Sequence, residues 1–246
     1  MLTSVVSAAE VLIRFGEGGV SDGGLLDSAA RSENGRENYN YGASQAINTG
    51  WETSTDELIA FSHWTNIFGS GANLVPLGST INKAELMMVV KGTSGTGDRT
   101  VNVYAMTTQI TDMGDGDSRG AESGEVCWNW RAYDTVAWGG DGPVAGTDYT
   151  ITGGASLTIP AGMTTTATWD VTDIVQAWSD GTANYGFILR GDAWNDSDTR
   201  TDFWSYEAED SGNVPVLKIY YEQIPEPATM SLLALGGLGV LIRRKR

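Results

Sequence analysis

Ala84-Glu85-Leu86-Met87-Met88-Val89-Val90, the loop Lys91 to Asp98 (KGTSGTGD), and Arg99-Thr100-Val101-Asn102-Val103-Tyr104-Ala105-Met106 decide the fold class. The first run is apolar on nearly successive residues, as a central sandwich strand covered on both faces would be. The second alternates. Val101, Val103 and Ala105 share one face, and Asn102, Tyr104 and Met106 the other, which is the period of a half-buried strand. The glycine-rich loop between them makes the pair an expected antiparallel hairpin with a flexible connection.

Strand candidates recur on both sides of this pair. Glu10 to Phe15, Ile47 to Trp51 and Leu58 to Trp64 precede it. Ser156 to Ile159, Thr164 to Trp169, Tyr185 to Arg190, Asp202 to Tyr206 and Val216 to Tyr221 follow. Gly16 to Gly24 is a glycine-rich turn. The period changes once, in Asp170 to Gly181 (DVTDIVQAWSDG). There Val171, Ile174, Val175 and Trp178 fall at i, i+3, i+4 and i+7, one face of a helix. Asp170 or Thr172 can cap its start, and Gly181 suits the position just past its end. Such a helix would lie across one end of a sandwich. Short, regularly spaced strands without βαβ alternation argue for an all-β sandwich or jelly roll rather than a parallel sheet.

Composition agrees. The chain has 246 residues, of which 41% are hydrophobic, enough for one large β domain with a sizeable core. Its 32 glycines against 6 prolines suit many turns between many strands. Net charge is −16. Four of the 15 basic residues, and one of the 31 acidic ones, lie beyond Ile224, so the body before that point carries −19. A body this acidic repels phosphate backbones and argues against nucleic acid as a partner. It also repels polyanionic glycans unless a cation bridges them. Cys127 and His63 are the only residues of their kinds. An internal disulfide and a His/Cys zinc site are excluded, and Cys127 reads as a buried, inert thiol.

The end of the chain has a different character. Ile224-Pro225-Glu226-Pro227 leads into an apolar run from Ala228 to Ile242, and Arg243-Arg244-Lys245-Arg246 closes it. Fifteen residues of helix span about 22 Å, short of the roughly 30 Å hydrocarbon core. Gly236, Gly237 and Gly239 weaken the run further, so it makes a better disposable handle than a permanent anchor. The basic terminus fits the positive-inside rule with the main domain outside the cytoplasm. Pro225-Glu226-Pro227, a short apolar helix and a basic cluster together resemble the PEP-CTERM sorting signal of exopolysaccharide-producing Gram-negative bacteria. The resemblance implies an exosortase-type membrane protease as partner, transient membrane insertion of the helix, and delivery to the cell surface or extracellular matrix. At the other end, Met1 to Ala9 finishes in Val-Ser-Ala-Ala, like a small-residue cleavage site. It lacks a basic start and a long apolar run, and is read as the remnant of an export signal. The expected plan is 1–9 export remnant, 10–222 β-sandwich and 223–246 sorting segment.

Within the body, a second resemblance runs through most of the chain. It rests on Asn38-Tyr39-Asn40-Tyr41-Gly42-Ala43-Ser44, Ile81 to Val90, Val126-Cys127-Trp128-Asn129, Trp169-Asp170-Val171-Thr172 with Val175-Gln176-Ala177-Trp178, Asn184 to Leu189, Phe203 to Glu207 and Pro215 to Ile219. In order and spacing these resemble the DNRLRE-type domain, related to carbohydrate-binding module family 96 and to a module of archaeal disaggregatases. The family's name string is absent, and its usual RSLLRFDLS strand stands here as LIAFSHWTN. The resemblance implies an extracellular, non-catalytic antiparallel jelly-roll β-sandwich that often binds glycan.

Two sets of residues are candidates for a site. Nine tryptophans are many for one domain, and aromatic faces stack on sugar rings. Trp169 and Trp178 fall on core-facing positions. Trp128 and Trp130 share a face of one extended segment, and Trp138, Trp194 and Trp204 lie in or beside polar loops. These five either stack on saccharide or pack the rim of the sandwich. Thr111 to Glu125 gathers Asp112, Asp115, Asp117, Glu122 and Glu125 among glycines, either a Ca²⁺ loop of hard oxygen ligands or a solvated acidic turn. Asp192, Asp196 and Asp198 offer the same choice. A serine triad lacks its Gly-x-Ser-x-Gly turn. The expected function is therefore an exported, non-catalytic glycan-binding or adhesive module. A polysaccharide hydrolase or lyase on a jelly roll is the alternative, and a purely structural matrix protein a third reading.

Overall fold

The computed structural model describes residues 10–16, 22–33, 35–194, 198–208 and 211–222. The expected export remnant at 1–9 and the sorting segment at 223–246 lie outside them, as does Asp196. Among the described residues, no helix is long and apolar enough to cross a membrane.

Strands dominate. They are β1 (Glu10–Phe15), β2 (Leu25–Arg31), β3 (Tyr39–Asn40), β4 (Ala46–Thr53), β5 (Asp56–Trp64), β6 (Ile81–Thr93), β7 (Arg99–Ala105), β8 (Arg119–Gly120), β9 (Trp130–Ala132), β10 (Val136–Ala137), β11 (Ala155–Ile159), β12 (Thr166–Asp170), β13 (Phe187–Gly191), β14 (Thr201–Trp204) and β15 (Val216–Glu222), with one helix, α1 (Thr172–Ser179). Every pairing between them is antiparallel. One run of strands is β1-β15-β6-β12, and the other is β2-β5-β13-β7-β11. β14 pairs with both β6 and β4, and β4 with β5, so the two runs are one curled sheet. Its inner faces share a core that includes Phe15, Leu86, Met88, Val103, Trp169, Phe187 and Leu217. The Trp169 indole N–H donates to the Val101 carbonyl at 3.0 Å, tying β12 to β7 across that core.

The expected hairpin between β6 and β7 does not form. β6 is occupied along its length by β15, β14 and β12, while β7 pairs with β11 and β13. The glycine-rich loop instead crosses from one run of strands to the other. It is held there by Ser94 N–H donating to Arg200 O at 2.9 Å and by the Arg99 guanidinium on Ser94 O. Nor is β6 covered on both faces. Ala84, Leu86, Met88 and Val90 are buried, whereas Glu85, Met87 and Val89 are half-buried. The strand covered on both faces is β5, every residue of which is buried.

The helix forms where its period places it, with Val171, Ile174, Val175 and Trp178 all buried. Asp170 Oδ1 accepts the Thr172 N–H at 3.1 Å. At the other end Gly181, at φ +103°, closes the turn. Thr182 N–H then reaches Ala177 O at 2.9 Å and Gly181 N–H reaches Trp178 O at 3.1 Å, both bonds of a Schellman cap. β12 covers β6 only from Glu85 onward. Beyond it the helix takes over, as Thr172 Oγ1 accepts Ala84 N–H at 2.9 Å and Gln176 Oε1 accepts Ile81 N–H at 2.7 Å. Backbone donors that would stand open on a sheet edge are thereby satisfied.

Candidate functional site

Residues 106–154 carry most of the sequence-predicted site. They form a third layer over the outer face of β5, where Ile59 and Phe61 meet Met106, Met113, Val126, Trp128, Trp138 and Tyr149 in a second core. Phe61 and Trp138 stack with centroids 5.7 Å apart and planes 15° from parallel.

This layer is stapled by one residue. Asn40, fully buried in β3, donates from Nδ2 to Met113 O (2.8 Å) and Val126 O (2.9 Å). Its Oδ1 accepts from Gly42 N (3.0 Å) and Gly116 N (2.8 Å), so every hydrogen-bonding position of the amide is used. The approach is close enough that a Cβ on Gly114 (φ +82°) would lie 2.3 Å from the Asn40 amide. The Asn40-Tyr41-Gly42 segment is thus structural.

The tryptophans divide accordingly. Trp128 and Trp138 are each only 5% exposed and are not open to a sugar ring. The Trp128 indole donates to Asp141 Oδ1 at 3.1 Å and the Trp138 indole to Cys127 O at 3.0 Å. Both lie in loops rich in glycine, but the loops are themselves packed against β5, which buries the rings. Trp130, Trp194 and Trp204 are half-buried. Trp130 meets Tyr133 edge-on at 6.3 Å, and the Lys91 ammonium sits 4.4 Å from the Trp204 ring centroid.

The carboxylates of the acidic loop are engaged within the protein. Asp112 Oδ1 accepts Gly114 N–H at 2.8 Å, and Asp117 Oδ1 accepts the Ser44 hydroxyl at 2.7 Å. Asp115 pairs with Arg119. Glu125, buried, also binds Arg119, at 2.9 Å, and takes the backbone N–H groups of Asp115 (3.1 Å) and Glu122 (2.7 Å). Arg119 is the positive centre here, and the hydrogen bonds it donates to Glu125 and then Asp115 raise its pKa. Among the described residues, no three His, Cys, Asp or Glu side chains come together as metal ligands. Asp192 and Asp198 are occupied too, accepting Thr100 N–H (3.2 Å) and Arg200 N–H (2.9 Å).

The single thiol and imidazole are both buried. Burial pushes the Cys127 thiol up to about 11, as an inert thiol requires. Burial lowers the pKa of His63, whose Nε2 lies 3.1 Å from Asn184 O and so carries the proton. A buried carboxyl of β2 lies beside a second one. Asp27, buried in β2, accepts Tyr206 N–H at 2.8 Å and faces Glu207. Burial first, then the charge of Glu207, hold its pKa well above the ordinary carboxylate range.

Two hollows remain. The larger, about 400 Å³, runs beside α1 between Met106, Ile174, Ala177, Trp178 and Tyr185, and is apolar except for a threonine rim and Asp173. The smaller, about 220 Å³, opens on the outer face of β5, β13 and β7 and combines aromatic with polar groups. Trp51, Tyr104 and Tyr149 supply rings; Asn102, Glu57 and Arg190 supply polar atoms. Arg190 lies in β13 and grips Glu57 of β5 with Nε (2.8 Å) and Nη2 (2.5 and 2.6 Å), while Nη1 donates to the Tyr149 hydroxyl at 2.5 Å. Tyr104 and Tyr149 lie 5.4 Å apart. Asn102 and Tyr104 share the outward face that the β7 alternation predicts. Trp51 and the Arg190–Glu57 pair went unmarked as site residues, because 133 residues separate the pair's members and only strand register joins them.

Comparison with known proteins speaks to the tail. No curated protein sequence matches the chain. The PEP-CTERM protein-sorting motif matches residues 223–246, which hold Pro225, Glu226, Pro227 and the basic cluster Arg243 to Arg246. That motif is a sorting signal processed by exosortase, a membrane protease. By this tail the chain is an exported protein directed to the surface of a Gram-negative cell.

Proposed function

We propose that the domain is a non-catalytic glycan-binding module, held at the cell surface or in the extracellular matrix, and that the hollow lined by Trp51, Asn102, Tyr104 and Arg190 is its binding site. The observation that carries the reading is the union in one concave place of aromatic faces with fixed polar atoms, the combination a sugar ring needs. The reading accords with the DNRLRE-type resemblance and the jelly-roll connectivity that it implies. It also favours binding over hydrolysis, since Glu57 is the one carboxylate lining the hollow and Arg190 saturates it. Trp194, three residues beyond the end of β13 and beside the lining residue Ala193, is the one sequence-predicted tryptophan that adjoins this site. Calorimetric titration against a broad panel of neutral and acidic polysaccharides tests the proposal. Binding that Trp51→Ala abolishes and Trp130→Ala leaves intact supports it. No heat from any member of the panel refutes it.

A further inference from the structure

The polar atoms of this site are unevenly spent, and the imbalance points to a ligand chemistry. Apart from the Tyr104 hydroxyl, which can give or accept, the side-chain acceptors are used. Both Glu57 oxygens take Arg190, Asn102 Oδ1 accepts the Ser156 hydroxyl at 2.7 Å, and the Tyr149 oxygen takes Arg190 Nη1. The donors are not. Asn102 Nδ2 gives no hydrogen bond among the described residues, and Arg190 Nη1 has a second hydrogen beyond the one given to Tyr149. The Trp51 indole N–H is buried with no acceptor.

A donor-rich hollow wants an acceptor-rich ligand, either a carboxylate or an uncharged carbonyl. Charge decides between them. Arg190 is already neutralised by Glu57, Asp192 stands exposed beside the site, and the whole chain carries −16. A carboxylate would enter against all of these. A carbonyl does not, and the methyl group beside it in an acetyl substituent has aromatic surface to cover at Tyr104 and Trp51. At about 220 Å³ the hollow is small beside the 300–1,000 Å³ of drug-sized clefts, room for a single substituted ring rather than a long oligosaccharide.

We infer that the site selects a neutral sugar bearing an acetyl or acetamido group, whose carbonyl oxygen accepts from Asn102 Nδ2 and Arg190 Nη1. This rests on the glycan-binding reading above and goes further by naming the substituent. Triacetylchitotriose and cellotriose differ only in the acetamido group at the second carbon of each ring. Both, with a uronic acid trimer, are titrated into the whole chain by calorimetry. The acetylated trimer is expected to bind about tenfold more tightly than cellotriose, the worth of one good hydrogen bond. Asn102→Asp keeps the acceptor for Ser156 but removes both donor hydrogens. It should bring the acetylated trimer to the cellotriose level, with an unchanged melting temperature as the check on folding. Equal binding of acetylated and plain trimers, or preference for the uronide, overturns the inference and leaves the glycan reading standing. So does silence from the acetylated trimer while another glycan of the panel binds. Silence across the whole panel overturns both.

Discussion

Replacing Asn40 should unfasten the third layer. The side chain makes four hydrogen bonds in a fully buried setting, two to carbonyls and two to amides. At about 1 kcal/mol net for each bond, Asn40→Ala costs about 4 kcal/mol, more where the four backbone groups find no water. Against a typical total of roughly 5–15 kcal/mol that is a large share. Asn40→Asp separates hydrogen bonding from volume. It keeps the two acceptor bonds and sets a carboxylate against the carbonyls of Met113 and Val126. Such a group has its folded pKa raised above the unfolded value of about 3.9, because both burial and the facing oxygens disfavour its charge. The penalty it adds is therefore absent below the unfolded pKa and grows as pH rises through the folded one. Urea unfolding followed by tryptophan fluorescence, at pH 7 and near pH 4, reads both variants. Asn40→Asp should lose at least as much as Asn40→Ala at pH 7 and recover part of it in acid, where one proton restores one donor. A cost below about 1 kcal/mol for Asn40→Ala, or an Asn40→Asp penalty indifferent to pH, would show that the staple is not what holds the layer.

Three further outcomes are expected. Asp27→Asn should raise the melting temperature at neutral pH, because the raised pKa of Asp27 makes its ionisation costlier in the folded chain than in the unfolded one; the gain should vanish near pH 4 and below, and a gain constant across that range would contradict the sign. Arg119→Met should lower the melting temperature, since buried Glu125 loses its cation, while chelator leaves the wild type unchanged; a downward shift on chelation would instead favour the calcium reading of this loop. Cys127 should alkylate on the order of 10²-fold more slowly than an ordinary free thiol at pH 8 and react freely in urea, and ready labelling of the folded protein would refute its burial.

The elements that the sequence made legible are those whose period is their own. The Val171, Ile174, Val175, Trp178 face and the alternation of Arg99 to Ala105 each appear where local spacing placed them. What escaped depended on partners far along the chain. β2 escaped because Asp27 and Ser28, both buried, break the apolar look of its run. The supposed hairpin failed because adjacency in sequence says nothing about which edge of β6 is already taken. Trp128 and Trp138 look like loop residues until the loop becomes a layer. One sign of that layer was present in Leu58-Ile59-Ala60-Phe61, apolar on successive residues and thus wanting cover on both faces. Half of the candidate hollow was in view as the Asn102 and Tyr104 face; the other half arrives through the register of β5 with β13.

β15 lies between β1 and β6, matched to β1 along Phe15 to Glu10 and to β6 along Met87 to Ile81, and the sorting tail follows directly from its last residue. The tail is therefore joined to a strand paired on both sides rather than to a frayed edge. A pull along that strand is borne by two ladders of hydrogen bonds at once, in shear, instead of opening them one by one. For a protein sent to a cell exterior, where flow and neighbouring polymer both drag on what is attached, the chain emerges at the point where the fold can carry a mechanical load.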